Sequence, residues 1–416
     1  MRRVVKVLAA LAVILLGALA AVIIHRVQGE GNIHGSSSVE YNPTQTTATP
    51  LPTNIAWPEY GFEGTRSRSV TLALRPPYRR IWTFKAGSLV EFPPAIGYGR
   101  LYFSTNSGKV YAVNTKTGKR AWKYLSHRCV AASPAIGTQQ HGTIYAVFLN
   151  KPPCNAKHGQ GEVIAFSAGV GKIRWHKAIG ASESSPLLVG NRLYVADWDG
   201  RVWALDARTG RTVWRRKPAR AAIKGAIAIS DGRLYVGSYD GHLYCIGAQK
   251  GRLIWKAKAQ SRLYGHTRFY STPAVAYGRV YIGGTDGKVY SFGATSGKIR
   301  WSYGTGGYVY ASPAIWNQTV FVGSYSKRFF ALDAATGNVR WSYPVTAPIS
   351  GSATVIGNIV YFATLGKKTN GRTYALNART GKLVWSYPDG KYTPAVAEQG
   401  RLFLVGYARV YGMVPK

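Results

Sequence analysis

Short apolar runs alternate with polar, glycine-bearing turns along most of this chain. One unit shows the pattern: Leu187-Leu188, Leu193-Tyr194-Val195 and Val202-Trp203-Ala204-Leu205 are separated by turns at Gly190 and Asp199-Gly200. Runs this short, rich in β-branched and aromatic residues, predict strands. An Asp-Gly between two of them predicts a hairpin. The unit then runs through Asp206-Ala207-Arg208-Thr209-Gly210 and returns to Trp214 as a fourth strand.

That ending repeats. Ala331 to Gly337 leads to Trp341, Ala375 to Gly381 leads to Trp385, and Ala112 to Gly118 leads to Trp122; weaker copies end at Trp175, Trp255 and Trp301. The strong copies have a small residue, an Asp or Asn, a turn ending in Gly, and a Trp four residues after that Gly; the weaker ones keep the Gly and the Trp. The glycine supplies the positive φ that other residues resist. A fixed-period repeat decides the architecture before any other feature does.

The ends of the chain complete each other. Trp82 lies on Arg79-Arg80-Ile81-Trp82-Thr83-Phe84 with no Thr-Gly turn before it, whereas the last three runs, from Pro394, Arg401 and Arg409, have no returning strand. The N-terminal strand is expected to close the last unit and so remove the exposed edges of an open ring. Tryptophans at 82, 122, 175, 214, 255, 301, 341 and 385 are spaced by 40, 53, 39, 41, 46, 40 and 44 residues. The expected fold is all-β: an eight-bladed β-propeller of four-stranded antiparallel blades, with seven blades if a weak unit is skipped.

The Ala-x-Asp-x-x-Thr-Gly-x-x-x-Trp pattern resembles the tryptophan-docking motif of pyrroloquinoline-quinone-type (PQQ-like) propeller repeats. That family includes quinoprotein alcohol dehydrogenases and the outer-membrane-assembly lipoprotein BamB. The resemblance spans about residues 57–414, and Trp57-Pro58-Glu59-Tyr60-Gly61 is similar to the lead-in before the family's first blade. It implies that Trp82, Trp122, Trp175, Trp214, Trp255, Trp301, Trp341 and Trp385 are structural docking residues. It leaves function open, because one fold hosts many sites.

Charge changes the picture. Lys plus Arg number 54 against 16 Asp plus Glu, a net of +38. Such an excess favours polyanions, or it is simply a solvated basic surface. At the N-terminus, Arg2, Arg3 and Lys6 precede Val7 to Ile24, 18 uncharged and mostly apolar residues. This predicts a signal anchor and transmembrane helix over 1–26, with a signal peptide cleaved after Ala18-Leu19-Ala20 as the alternative. Residues 27–56, rich in Ser, Thr and Pro, read as a flexible linker, and 57–416 as the propeller. The expected location is the cell membrane, single-pass, with the propeller on the extracytoplasmic side. There, Cys129 and Cys154 flank one insertion and are expected to form a disulfide, while Cys245 reads as a buried thiol.

Candidate binding residues gather on the face that carries the connections between blades. Trp198, Tyr239 and Tyr325 occupy equivalent hairpin tips, and one connection reads Arg262-Leu263-Tyr264-Gly265-His266-Thr267-Arg268-Phe269-Tyr270. Aromatics interleaved with Arg and His suit an anionic or sugar-like ligand. Aligning blades on the Pro that starts each inner strand gives a channel ring of Glu91, Glu183, Lys224, Tyr310 and Lys391, which reads as salt bridges in a water-filled channel or as a cation site. No metal-binding or catalytic motif stands out: there are no adjacent cysteines and no Cys-x-x-Cys-His. The reading is a non-catalytic binding or scaffold protein, without cofactor, for an acidic envelope protein or anionic envelope polymer. Nucleic acid is disfavoured by the expected location. The alternative is a dehydrogenase using pyrroloquinoline quinone with calcium.

Overall fold

The computed structural model describes residues 10–20, 31–44, 52–156, 159–260, 267–366, 371–392 and 395–416. Eight sheets, each with a four-stranded antiparallel blade, follow one another around a ring; Ile55–Trp57 adds a fifth strand to one and Ser69–Val70 a parallel fifth strand to another. We number them as blades 1 to 8, covering 95–125, 135–180, 187–216, 228–258, 274–304, 314–344, 354–387 and 395–415. The last blade takes its outer strand from the other end of the chain. Tyr78–Lys85 pairs antiparallel with Arg409–Pro415, from Tyr78 opposite Pro415 to Lys85 opposite Arg409. Both chain ends are thereby fastened in one sheet, and the ring has no open seam.

The repeat explains how blades are joined. The indole N–H of Trp82 donates to the carbonyl of Thr115 in blade 1 at 3.0 Å. Trp122, Trp175, Trp214, Trp255, Trp301 and Trp341 donate in the same way to Ala168, Ala207, Ala248, Ala294, Ala334 and Ala378 of the next blade. Each ring lies flat on the glycine of that blade's turn. At Gly118, where φ is +69°, an added Cβ would stand 2.7 Å from Trp82 Cδ2. In blades 1, 3, 6 and 7 the turn is tied by its Asp or Asn: Asp206 Oδ1 accepts the N–H groups of Arg208 and Thr209 and the Thr209 hydroxyl. Trp385 differs from the other seven. The blade it meets is split between the chain ends and has no such turn, so Trp385 packs edge-on against Tyr78 instead, 5.3 Å between centroids. Facing sheets bury their side chains against each other; Leu187, Tyr194 and Trp214 of blade 3 pack with Leu234, Val236 and Tyr244 of blade 4.

The lead-in does more than lean on the ring. Residues 54–70 circle inside the channel and meet the inner strands in turn. The carbonyls of Asn54, Pro58, Gly64, Thr65, Ser67 and Arg68 accept the N–H groups of Tyr98, Ile136, Ile229, Val275, Ile315 and Val355. Blade 3 is served by a side chain: Leu188 N–H donates to Glu59 Oε2 at 3.0 Å. Arg66 is fully buried, bonded to the carbonyls of Ile227, Tyr60 and Pro186 and paired with Glu59 at 3.4 Å. The channel, expected to be filled with water, is therefore crossed by polypeptide.

Part of the stretch read as a flexible linker is also docked. Residues 31–44 run down the outer edge of blade 5, with Ile33 bridged to Ser302 and Asn42 N–H bonded to the Tyr277 carbonyl. Arg279, fully buried, donates to the carbonyls of Glu40, Ser36, Val39 and Ala335. Glu40 in turn pairs with Arg300. Buried carbonyls and a buried guanidinium satisfy each other, which a linker of this composition gives no hint of. At the N-terminus, residues 10–20 are an exposed helix. Among the described residues no helix is long and apolar enough to cross a membrane. The rest of the expected anchor lies outside the described residues. Cys129 and Cys154 are bonded to each other, and Cys245 is buried and free.

Candidate functional site

Each inner strand is preceded by a short connection from the blade before, and these connections converge on the channel mouth. They enclose a cavity of about 250 Å³. Its floor is the lead-in: the Tyr60 hydroxyl bonds Ser352 Oγ at 2.9 Å and Ser312 Oγ at 3.3 Å, and the Phe92 ring stands edge-on at 5.6 Å. One wall is an arc of tyrosines. Tyr239, Tyr270, Tyr310 and Tyr325 follow one another at 6.3, 5.5 and 5.1 Å between ring centroids. Glu91 and Glu183 also line the cavity, Glu183 beside Tyr270.

The two carboxylates are unlike. Glu183 Oε1 accepts from Lys224 Nζ at 3.1 Å, and the Tyr270 phenol stands beside the same buried carboxylate. Lys224 Nζ also lies 3.9 Å from the centroid of the Trp198 ring and 5.5 Å from that of Tyr239. Burial raises Glu183, and the nearby ammonium opposes the rise. Burial pushes Glu91 up to about 7; the charge of Glu183 adds to this and that of Lys224 reduces it. Tyr270 is held well above the usual phenol range by burial and then by the two glutamates. A buried, perturbed carboxyl in a concave site is the usual signature of a functional position. Aromatic faces beside acceptors and a few hydroxyl groups can hold a ring bearing hydroxyls, by stacking on its CH face and bonding its edge.

The two groups of candidates from the sequence prove to be one site. Glu91, Glu183, Lys224, Tyr239, Tyr270, Tyr310 and Tyr325 all line the cavity. Trp198 joins it through Lys224, and exposed Arg268 stands 5.6 Å over Tyr239. Lys391 does not pair with the glutamates; it lies over Tyr407 at 5.0 Å and Tyr392 at 5.8 Å. Arg262, Tyr264 and His266 lie outside the described residues. Inside the cavity two carboxyl groups meet one lysine. Basic groups such as Arg268 sit at its edge.

Residues 78–151, 155–223, 199–311 and 306–411 match the family described as outer membrane protein assembly factor BamB. The chain belongs to that family. It is similar to BamB of Shewanella oneidensis, 24% identical over 152 residues that cover 33% of this chain and 36% of that protein. It is also similar to tetrathionate hydrolase of Acidithiobacillus ferrooxidans, 24% identical over 201 residues covering 42% and 40%. The matched region is thus well under half the length of these relatives. BamB of Moraxella catarrhalis shares the fold with a TM-score of 0.63 at 17% identity, covering 81% of this chain and 100% of that one. Quinohemoprotein alcohol dehydrogenase of Comamonas testosteroni does so with 0.71 at 15%, covering 87% and 81%. At these identities the likeness to solved structures is one of fold.

Several residues of the site escaped the sequence. Tyr60 is one, because a lead-in residue gives no sign of lying beneath a cavity built by other blades. Ser312 and Ser352 were legible in principle. They stand two residues before the inner strand's first residue, as do Ser133, Ser185 and Thr272, and these hydroxyls link blade to blade. Thr272 N–H donates to Ser312 Oγ, and Ser312 N–H to Ser352 Oγ, each at 3.0 Å. The recurring Ser-Pro and Thr-Pro pairs were the signal, with Ser352-Ala353 at the same place in blade 7.

Proposed function

We propose that this chain is a membrane-tethered, extracytoplasmic binding protein of the cell envelope. It holds an anionic, sugar-bearing envelope polymer on its inter-blade face. The observation that carries this is the cavity: aromatic and hydroxyl-lined inside, with basic side chains at its edge. One sugar unit would occupy the cavity, stacked on Tyr310 or Tyr270, with its hydroxyls on Glu183 Oε2 and Glu91. The charged backbone of the polymer would lie along the basic edge. The names of the relatives support an envelope role, and a protein partner with an acidic surface would use the same edge without filling the cavity.

The quinone reading is less well supported. Pyrroloquinoline quinone is a tricarboxylate, and the cavity offers it two carboxyl groups and one lysine already paired. The cavity is below the roughly 300–1,000 Å³ usual for ligands of that size. Among the described residues no cluster of three or more His, Cys, Asp or Glu could hold a metal. The residues present do not suit the cofactor with calcium.

The test is binding of the full chain to immobilised anionic wall polymer, with free monosaccharides as competitors. Tyr310→Ala should weaken binding by roughly 0.5–1.5 kcal/mol, the value of one aromatic contact. Free sugar should compete with the native chain and not with the variant. Binding that ignores both points to a partner held by the edge alone.

A further inference from the structure

The path of residues 31–44 fixes which way the propeller faces. This segment begins at the inter-blade end of blade 5. The Gly31 carbonyl accepts from Gln260 Nε2 at 3.0 Å and Lys288 Nζ at 3.2 Å, and Asn32 Oδ1 accepts the N–H of Gly304, the last residue of that blade's outer strand. It ends at the opposite rim, among the Thr-Gly turns. There Glu40 bonds the Ser296 N–H and hydroxyl and Asn42 bonds Tyr277. The described segment therefore starts, at Gly31, on the side where the cavity opens.

We propose that the segment is a strap that holds the inter-blade face, with its cavity, against the anionic phospholipid surface of the membrane. This rests on the anchoring reading under Proposed function. Two observations carry it. The first is reach. An anchor ending at residue 26 leaves four residues before Gly31, a span of at most roughly 17 Å. Turning the propeller over would require that span to run back along the six-residue outer strand Ile299–Gly304, about 20 Å. The second is charge complementarity around the point of departure. Lys258, Arg268, Lys327 and Arg328 are exposed at the inter-blade ends of blades 4 to 6, and Tyr308 beside them is 53% exposed. Clustered basic side chains with an exposed aromatic are what an anionic bilayer surface attracts. The cavity then samples molecules displayed at the membrane surface, which places the sugar unit of its ligand on a membrane-borne polymer.

The strap is built to stay in place. Gly35 lies so close to blades 5 and 6 that an added Cβ would stand 2.5 Å from the Ala335 carbonyl oxygen and 2.8 Å from Trp301 Cδ1. Arg279 has four strap and blade carbonyls around it, so its loss leaves them buried without a donor.

The experiment uses the full chain in vesicles of phosphatidylglycerol and phosphatidylcholine that carry an acceptor dye at the lipid headgroup. A donor dye is placed at Lys327→Cys on the inter-blade face or at Lys382→Cys on the Thr-Gly face. The native thiols are bonded or buried. Energy transfer from position 327 should be several-fold higher than from 382. The gap should shrink in Gly35→Val and in Arg279→Gln, two independent ways of freeing the strap. Removing phosphatidylglycerol should lower transfer from 327. Flotation with the vesicles reports the anchor separately. A chain that does not float overturns the anchoring reading and the orientation with it. A chain that floats with equal or reversed transfer overturns the orientation alone, and transfer indifferent to anionic lipid overturns the lipid contact.

Discussion

The two rims of this propeller are made of the same number of blades and behave differently. On the Thr-Gly rim, seven turns repeat one solution, and their polar groups answer one another. Asp206 takes three donors from its own turn, and Trp175 takes the carbonyl of Ala207. On the inter-blade rim the connections differ in length and sequence, and buried groups are left over. Trp198 Nε1 has no hydrogen-bond partner, and the buried Glu183 carboxylate meets one lysine and one phenol. A repeat that satisfies itself builds a ring; the irregular rim keeps the unsatisfied groups that a ligand can use.

The layer between the rims should be the most sensitive. Arg66→Met leaves Glu59 buried without its cation and should cost about 3–5 kcal/mol. Arg211→Met, exposed on a Thr-Gly turn, should stay within about 0.5 kcal/mol. Thermal or urea unfolding of both variants checks this, and similar costs would mean that the lead-in is not a structural spoke.

The Thr-Gly rim can be broken at one atom. Gly118→Ala forces a Cβ into Trp82 at a positive φ and should cost roughly 3 kcal/mol, strain plus overpacking. Gly190→Ala has a similar backbone, φ +55°, with nothing within 4 Å of the added atom. It should cost about 1 kcal/mol. The difference measures tryptophan docking apart from backbone strain. Equal losses would deny the ring any part in the requirement for glycine.

The inter-blade rim should show itself through pH. Burial first, and Glu183 second, raise the Glu91 carboxyl from 4.5 to about 7. The folded chain then holds a proton that the unfolded chain releases. The contribution is fully present below about pH 4.5 and is lost as pH rises through about 7. Glu91→Gln should remove that loss, stabilising the protein at pH 8 relative to pH 5 by roughly 1–3 kcal/mol against the native chain. Parallel stability curves for the two proteins would place Glu91 in water.

How much of this was legible follows from what repeats. Tryptophan, Asp and Gly recur at one spacing, so blade number, closure by Trp82 and the blade-to-blade joints could be read from the chain. Glu91 and Glu183 could be found because they precede equivalent inner strands. Arg66, Arg68 and Tyr60 could not. They occur once, in a segment without periodicity, and their meaning comes from eight blades that meet only in three dimensions. Arg279 was hidden for the opposite reason. It sits at a repeated position, where Arg100 reaches the carbonyls of Ala168 and Gly169 in the next blade, and only blade 5 uses that arginine to hold the strap. The linker's composition suggested disorder because no apolar run announces docking through carbonyls.

Comparing the rims at equal charge is the most direct test of where binding occurs. One variant neutralises Arg220, Arg268 and Lys327 on the inter-blade rim; the other neutralises Lys119, Arg211 and Lys382 on the Thr-Gly rim. Each removes three positive charges from a net of +38. Affinity for immobilised anionic wall polymer at 0.15 M salt, with a Debye length of about 8 Å, reads contact rather than overall charge. The expected result is a loss of roughly tenfold, about 1.4 kcal/mol, for the first variant and little change for the second. Equal losses would contradict the assignment of binding to the inter-blade rim.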